Sequence, residues 1–153
     1  MKKVLLLVCC SLVLISCAYK EYKISAENNV AEFYRLYTAG ELEKLMDLVG
    51  DTGLQKDSRE RWLGLFRYNF VKRGKAVEFE QTDWNFNTNT ESGNTITLDY
   101  KTRYENGEFN EKFVFHSSKN PQEVKLIGYD SGNLPEPKEP VEEKPAAKSK
   151  KPE

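Results

Sequence analysis

The sequence predicts an α+β protein in which amino-terminal helices pack on a curved four-stranded antiparallel sheet, with a disordered carboxy-terminal tail. Two observations predict this class. Apolar residues recur at helical spacing over residues 25–74, and from residue 75 onward they alternate with polar residues as they do in β-strands. Helices and strands in separate blocks are typical of the α+β class, in which the helices cover one face of the sheet.

The first two helices are predicted to follow each other closely. Ser25 is placed to cap the first helix with its hydroxyl, and an apolar stripe then continues almost to Gly40. The stripe consists of Val30, Phe33, Tyr34 and Tyr37. Thr38 and Glu41 have the spacing of a capping box, which predicts a second helix that ends at Gly50.

The third helix follows a loop predicted at residues 51–56. Asp57 or Ser58 is expected to cap it, and Gly74 to end it. Its apolar side is formed by Trp62, Leu65, Phe66 and Phe70. Its basic side is expected to face solvent and comprises Arg59, Arg61, Arg67, Lys72 and Arg73. A basic amphipathic helix can also lie on an anionic membrane surface, which is the alternative interpretation.

The first strand carries a change of parity. Val77 and Phe79 share one face, whereas Trp84 and Phe86 share a face of opposite parity. Both pairs face the helices only if one extra residue is inserted between them. We therefore predict a β-bulge at residues 81–83, which would also bend the strand.

A central hairpin follows this strand. Aromatic and polar residues alternate on either side of Asn106-Gly107, a dipeptide that favours a two-residue type I′ turn. That turn predicts Thr102 opposite Glu111 and places the aromatic residues of both strands on one face. The last strand is predicted at residues 124–129.

Residues 1–16 have the pattern of an export signal peptide. Two lysines precede an apolar stretch over residues 4–15, which is shorter than the ~20 residues that a membrane-spanning helix needs. The sequence Leu14-Ile15-Ser16-Cys17 closes this stretch and resembles the lipobox of bacterial lipoproteins. An uncleaved membrane anchor and ordinary secretion are the alternative interpretations.

The lipobox resemblance implies removal of residues 1–16 and attachment of lipid to Cys17. In lipoproteins of two-membrane bacteria, an aspartate directly after the cysteine tends to retain the protein in the inner membrane, and this chain has Ala18 there. The resemblance therefore implies the outer membrane, facing the periplasm. In a source with one membrane it implies the outer leaflet of that membrane.

The mature chain is expected to have three parts. Residues 17–24 form a polar tether, residues 25–131 form one domain of common size, and residues 132–153 form a tail. The tail is rich in Pro, Glu and Lys and contains no aromatic residue. Such a segment cannot bury enough apolar surface to offset its conformational entropy, so we expect it to be disordered.

Composition excludes several classes of function. Removing the signal leaves 21 basic and 24 acidic residues, a net charge of −3, which argues against a nucleic-acid partner. Cys9 and Cys10 leave with the signal and Cys17 carries lipid, so no disulfide can form within the mature chain. With one histidine and no free cysteine we expect no metal site of the zinc kind. The sequence also has no phosphate-binding loop, nucleophile elbow or metal-ligand constellation, and we expect no cofactor.

Residues 98–129, together with the order of helices and strands, resemble the nuclear-transport-factor-two-like superfamily, a cystatin-like, cone-shaped α+β fold. More narrowly, they resemble small bacterial envelope domains of that superfamily. The residues that carry the resemblance are Tyr100-Lys101-Thr102-Arg103-Tyr104, Glu111 with Phe113, and Leu126-Ile127-Gly128-Tyr129. The resemblance implies that a ligand binds on the concave face of the sheet, under the helices.

Two carboxylates are candidates for proton transfer. Glu111 is the only charged side chain predicted on the aromatic face of the hairpin, where desolvation would suit it to act as a general acid or base. The alternative is a structural carboxylate that bonds Thr102 or a tyrosine hydroxyl, or reaches solvent. Asp83 lies at the predicted bulge, and its alternative role is to stabilise a turn.

Other candidate residues lie on the two faces of the hairpin. The predicted ligand contacts are Tyr100, Tyr104, Phe109 and Phe113. On the opposite, solvated face, His116 is predicted opposite Thr97 and diagonal to Asp99, which would allow an acid–base pair there. The ordinary interpretation of that face is an exposed charged surface.

We therefore expect a lipid-anchored envelope protein whose domain is a non-catalytic binding or adaptor module for an envelope protein or a small apolar ligand. The alternative function is a small isomerase-like or dehydratase-like enzyme, with Glu111 or Asp83 as proton carrier in an apolar pocket. A third function is that of a spacer, in which the Pro/Glu/Lys tail reaches other envelope components.

Overall fold

The computed structural model describes the backbone of residues 2–132 and the side chains of residues 19–132. The helices are α1 (Lys2–Ala39), α2 (Asp51–Lys56) and α3 (Arg59–Arg73), with short 3-10 helices at Leu42–Asp47 and Pro121–Glu123. The strands are β1 (Ala76–Asn89), β2 (Gly93–Tyr104), β3 (Gly107–Ser117) and β4 (Lys125–Asp130). The predicted tail lies outside the described residues from 133 onward, and the side chain of Cys17 lies outside them as well.

The four strands form one sheet in the order β1-β2-β3-β4, and every neighbouring pair is antiparallel. Helices precede strands along the chain, so the predicted α+β class with a four-stranded antiparallel sheet is confirmed. The core lies between the helices and one face of the sheet. Its fully buried side chains include Phe33, Tyr37, Phe66, Leu98 and Phe113.

The start of the first helix differs from the prediction. Ser25 lies inside α1, so the predicted cap at this residue is wrong. Tyr22, predicted to belong to the tether, is buried, and its hydroxyl donates to the carbonyl oxygen of Lys119 at 2.8 Å. Tyr22 and Ala26 extend the buried stripe of α1 toward the amino terminus at helical spacing. Packing of these residues on the core stabilises the helix before Ser25, so the helix does not begin there.

The region between α1 and α3 also differs from the prediction. Gly40 ends α1 with a φ of 74°, but the capping box of Thr38 and Glu41 is wrong, since the Thr38 hydroxyl donates to the carbonyl oxygen of Ala76. A 3-10 helix replaces the predicted second helix, and α2 replaces the predicted loop.

This region is held by the edge of the sheet. The amide of Leu126 donates to the carbonyl of Leu48 at 2.8 Å, and the amide of Gly50 donates to the carbonyl of Leu126 at 2.9 Å. A Cβ atom added at Gly53 would lie 3.0 Å from the Leu126 carbonyl oxygen, so the first turn of α2 packs directly on β4. Tertiary contacts therefore decide the local structure here, which periodicity alone does not reveal.

The predicted boundaries of α3 are confirmed. The Ser58 hydroxyl accepts from the amide of Arg61, as expected of an N-cap. Gly74 ends the helix with a φ of 75°, and its amide donates to the Phe70 carbonyl. Trp62 and Phe66 are buried, as the sequence predicts.

The predicted bulge in the first strand is confirmed as well. The pairing of β1 with β2 shifts by one residue between Gln81 and Asp83, and by another between Ala76 and Glu78. After the shift at residues 81–83, the ring of Phe86 lies 5.8 Å from that of Tyr22. Before it, the ring of Phe79 stacks on Tyr34 at 4.1 Å. The bulge thus turns aromatic residues of both parities toward α1.

The register of the central hairpin differs from the prediction by two residues. Glu111 pairs with Tyr100 and not with Thr102, which pairs with Phe109. Because side chains alternate with a period of two, a shift of two residues keeps every aromatic side chain on the predicted face.

The turn causes this shift. Its two central residues are Glu105 and Asn106, because Tyr104 pairs with Gly107. A type I′ turn needs a positive φ at both central residues, and here only Gly107, which follows them, has one (137°). The predicted type I′ turn at Asn106-Gly107 is therefore wrong. The amide of Glu105 donates to the Lys75 carbonyl and that of Asn106 to the Arg73 carbonyl. The tip of the hairpin is therefore bound to the connection between α3 and β1, and this contact sets the register.

Candidate functional site

Glu111 is the centre of a buried polar cluster. It lies on the helix-facing side of β3, and its side chain is 0% exposed. Its Oε2 accepts from the hydroxyl of Tyr34 at 2.7 Å, and the hydroxyl of Tyr104 lies 2.9 Å from both carboxylate oxygens. Its Oε1 also accepts from the hydroxyl of Tyr129. The carboxylate therefore has donors at both oxygens, all of them buried or partly buried.

Arg73 completes this cluster, which we call the Glu111 cluster. Its Nη1 lies 3.3 Å from Oε1 of Glu111, and its Nη2 donates to the carbonyl oxygen of Gly132 at 3.0 Å. The guanidinium carbon lies 3.8 Å from the ring centroid of Phe109. The carboxylate thus has a paired counter-charge that stacks on an aromatic face, which is a favoured setting for a buried arginine.

The predicted place of Arg73 on the solvated side of α3 is wrong, because its side chain is only 1% exposed. The sequence contains the signal that would have located it. Trp62, Phe66, Asn69 and Arg73 follow one another at spacings of four, three and four residues, and all four are buried. A charged residue that continues an apolar helical stripe is a candidate for a buried ion pair.

The three tyrosines of the Glu111 cluster are held in their protonated form. Burial, and then the negative charge of the nearby carboxylate, raise the pKa of Tyr34, Tyr104 and Tyr129 well above the ordinary tyrosine value. Because Tyr34 gives its one proton to Glu111, the Thr102 hydroxyl, 2.6 Å away, donates to Tyr34.

The Glu111 cluster joins two helices to three strands, because its members come from α1, α3, β2, β3 and β4. The hydrogen bonds of Glu111 to tyrosine hydroxyls are those expected of a structural carboxylate, the alternative to an acid–base role. Arg73 and the tyrosines of α1 and β4 were not predicted as members of a site. Their signal is burial on elements that face the same point of the hairpin.

The four predicted ligand contacts are all buried in the core. Phe113 lies at the centre, with its ring 5.1 Å from Phe33 and 4.9 Å from Tyr129. Tyr100 packs edge-on against Phe113. Tyr104 belongs to the Glu111 cluster, and Phe109 packs edge-on against it. The structure thus gathers the four residues on one face under α1 and α3, and their role as ligand contacts stays a prediction.

Asp83 lies at the bulge of β1, where it is exposed and its Oδ1 accepts from the amide of Trp84 at 2.7 Å. It lines an open cleft of about 520 Å³ that also includes Glu111. The other lining residues are Thr82, Asp99, Tyr100, Asn110, Lys112 and Asp130. The two candidate carboxylates therefore border one cleft, but the carboxylate oxygens of Glu111 are bonded to groups of its own buried cluster.

His116 is not paired with Asp99. It lies opposite Thr95 instead of the predicted Thr97, and its Nε2 is 2.6 Å from the carbonyl oxygen of Ser92. Asp99 lies opposite Lys112, whose Nζ is 3.6 Å from its carboxylate. The register shift therefore separates the two groups of the predicted acid–base pair.

An exposed apolar surface lies between α1 and β1, in an open groove of about 470 Å³ that we call the α1–β1 groove. Its lining residues are Ala31, Tyr34, Arg35, Thr38, Ala39, Ala76, Val77 and Phe79. Val77 and Phe79 remain 54% and 42% exposed. Because β1 is an edge strand, the groove is open along one side of the sheet.

A second depression, of about 410 Å³, lies where α3 meets β4. Lys56 and the ion pair between Asp57 and Arg61 form part of its lining, over Trp62 and Ile127. This lining is more polar than that of the α1–β1 groove. We therefore regard the groove as the better apolar docking surface.

Residues 19–132 contain no cluster of histidine, cysteine, aspartate or glutamate side chains suited to bind a metal ion. Over the same residues, no helix has the length and apolar character needed to cross a membrane.

A scan of the sequence against models of known protein families gives no match. A search of curated proteins gives no match either.

Proposed function

We propose that this chain is a lipid-anchored protein of the bacterial cell envelope whose domain binds a partner and does not catalyse a reaction. The lipobox Leu14-Ile15-Ser16-Cys17 supports the anchor, with lipid on Cys17. Ala18 supports the outer membrane, with the domain facing the periplasm. In a source with one membrane, the domain lies on the outer leaflet.

The α1–β1 groove is the main support for a binding function. Val77 and Phe79 expose apolar surface side by side with Ala31 and Thr38, on an edge of the sheet that residues 19–132 leave open. Contiguous exposed apolar surface of this kind is a marker of an interaction site. Small-molecule sites usually enclose most of the ligand, whereas this groove is open. It therefore suits the side chains of an envelope protein better than a small molecule.

The alternative function, an isomerase-like or dehydratase-like enzyme, needs a carboxylate that exchanges a proton with a substrate in an apolar pocket. Both oxygens of Glu111 are bonded to Arg73 or to tyrosine hydroxyls, so this carboxylate is committed to the core. Asp83 is exposed to solvent and bonded to the amide of the next residue. Neither environment is the one that this alternative requires.

Site-specific photo-crosslinking in the native host tests the binding function. A photoreactive phenylalanine analogue replaces Val77 in the full chain, and the matched control carries it at Val71, a 76% exposed valine on α3. We expect a discrete crosslinked protein from position 77 but not from position 71, and we expect its loss when Phe79→Ser is added. Identical products from both positions, or no product from position 77, would contradict the proposal.

A further inference from the structure

Two aromatic side chains are exposed near the amino-terminal end of the part of α1 whose side chains the structure describes. Tyr19 and Trp84 are 40% and 36% exposed, and their rings stack with centroids 6.3 Å apart. The Nζ of Lys23 lies 5.2 Å from the centroid of the Trp84 ring. Phe86, whose ring centroid is also 6.3 Å from that of Tyr19, connects this pair to the core.

This aromatic pair lies close in the chain to the proposed lipid anchor. Tyr19 follows Cys17 by two residues, which even in a fully extended chain is at most about 7 Å. Tyr22 is already buried in the core, and α1 continues through the residues predicted to form a tether. Along a helix, the five residues from Cys17 to Tyr22 span only about 7.5 Å. The anchor would therefore hold this end of the domain directly at the bilayer.

The chemistry of the exposed side chains fits the headgroup region of a bilayer. Tyrosine and tryptophan combine an apolar ring with a polar tip and are enriched at membrane–water interfaces. Lysine side chains nearby can extend their ammonium groups toward anionic headgroups. Lys20 is exposed beside Tyr19, while Lys23 also pairs with Glu27.

We propose that Tyr19 and Trp84 form a membrane-contact surface that inserts into the lipid headgroup region and fixes the orientation of the domain on the bilayer. This inference rests on the proposed lipid anchor at Cys17. It adds that the domain does not rotate freely on its anchor. Because the contact is mainly aromatic and not electrostatic, raising the ionic strength should change it little.

This orientation places the α1–β1 groove away from the membrane. Thr38 follows Cys17 by 21 residues, which corresponds to about 30 Å along a helix. Val77 precedes Trp84 by seven residues on β1, about 23 Å along an extended strand. The membrane-contact surface and the partner-binding groove thus lie at opposite ends of the contact between α1 and β1.

Fluorescence quenching by brominated lipids tests the inference. The detergent-extracted full-length lipoprotein is reconstituted into vesicles of phosphatidylethanolamine and phosphatidylglycerol that carry bromine on the upper part of their acyl chains. The chain has two tryptophans, and the other one, Trp62, is buried and 5% exposed. We expect the bromolipids to quench part of the wild-type emission, and we expect Trp84→Phe to lose that quenchable part.

The matched control moves the exposed tryptophan to the other end of the domain. The double variant Trp84→Phe, Val71→Trp carries an exposed tryptophan on α3, near the Ala76 end of β1. We expect the bromolipids to leave its emission unchanged. Equal quenching of Trp84 and of the tryptophan at position 71 would overturn the proposal.

The mass of the same lipoprotein, together with its flotation with vesicles, separates failure of the lipid anchor from failure of the membrane-contact surface. A chain that carries no diacylglycerol and does not float with vesicles would reject the anchor, and the inference with it. A lipidated chain that floats with vesicles while its Trp84 is not quenched would reject the membrane-contact surface alone.

Discussion

Arg73 Nη1 lies 3.3 Å from Glu111 Oε1, and both side chains are almost completely inaccessible to solvent. The last turn of α3 and the middle of β3 are thereby joined by an ion pair inside a mostly apolar core. Removing one partner of such a pair leaves an uncompensated charge in the interior. The stability of the domain should therefore be unusually sensitive to changes at these two positions.

Glu111→Gln should destabilise the domain by about 3–5 kcal/mol, because it leaves the Arg73 guanidinium buried without its counter-charge. Chemical denaturation followed by circular dichroism measures the free energy of unfolding. The matched control is Glu108→Gln on the same strand, where Glu108 forms an exposed pair with Lys101. That change should cost about 1 kcal/mol or less. Equal effects of the two substitutions would mean that the buried pair has no structural role.

The effects of Arg73→Met and Glu111→Gln on stability should be strongly coupled. Each single substitution leaves one charge buried without its partner, whereas the double variant leaves neither charge. We expect the double variant to be less destabilised than the sum of the two single variants, by an amount in the range of about 0.5–3 kcal/mol. The same cycle on the exposed pair, Lys101→Met with Glu108→Gln, serves as the reference and should show little coupling. Strict additivity at Arg73 and Glu111 would contradict the ion pair.

Alkaline pH should unfold the domain cooperatively. Burial raises the pKa of Tyr100 to about 12, and burial with the Glu111 charge raises that of Tyr34, Tyr104 and Tyr129 further, from an ordinary value of 10.0. Between the unfolded and folded values, the unfolded chain loses protons that the folded chain keeps. Stability is therefore unaffected well below pH 10 and falls above it, by up to about 1.4 kcal/mol per pH unit for each buried tyrosine.

The measurement for this prediction follows tyrosinate absorbance and circular dichroism during the same alkaline titration. Tyrosinate from the buried groups should appear together with the loss of structure. Ionisation of most tyrosines before any change in circular dichroism would contradict the buried, protonated cluster.

Gly132 should tolerate no side chain, since its φ is 69° and an added Cβ atom would lie 2.3 Å from the Asn110 carbonyl oxygen. The carbonyl of Gly132 also accepts from Arg73. We expect Gly132→Ala to destabilise the domain by about 1–2 kcal/mol or more. Gly64→Ala, inside α3 with open space around it, should instead stabilise it by about 0.5–1 kcal/mol. Thermal unfolding of both variants checks the opposite signs.

The alternation of side chains made the faces of the strands predictable, because burial on one face leaves a period of two in the sequence. The bulge before Asp83 followed from the same logic, since the parity of the aromatic residues changes there. The pairing of Thr102 with Glu111 was wrong because parity cannot distinguish registers that differ by two residues. Contacts of the Glu105-Asn106 turn with residues 73 and 75 select the register, and such contacts are not local in sequence.

The Glu111 cluster was only partly predictable for a related reason. Glu111 was predictable because it is a lone charge on an otherwise uncharged, aromatic face of the hairpin. Arg73 was predicted on the solvated side because arginine ordinarily faces solvent, and its helical spacing from Trp62 and Phe66 is the opposing signal. The local conformation of residues 42–56 depends on the edge of β4, which lies more than 60 residues further along the chain.

The lipid anchor at Cys17 is the claim on which the proposed function and the orientation of the domain both depend. Intact-mass spectrometry of the protein, extracted with detergent from the envelope of its own host, tests it most directly. We expect a chain that begins at Cys17 and carries the added mass of a diacylglycerol, usually with a further acyl group. A chain that retains residues 1–16, or one without lipid, would contradict it.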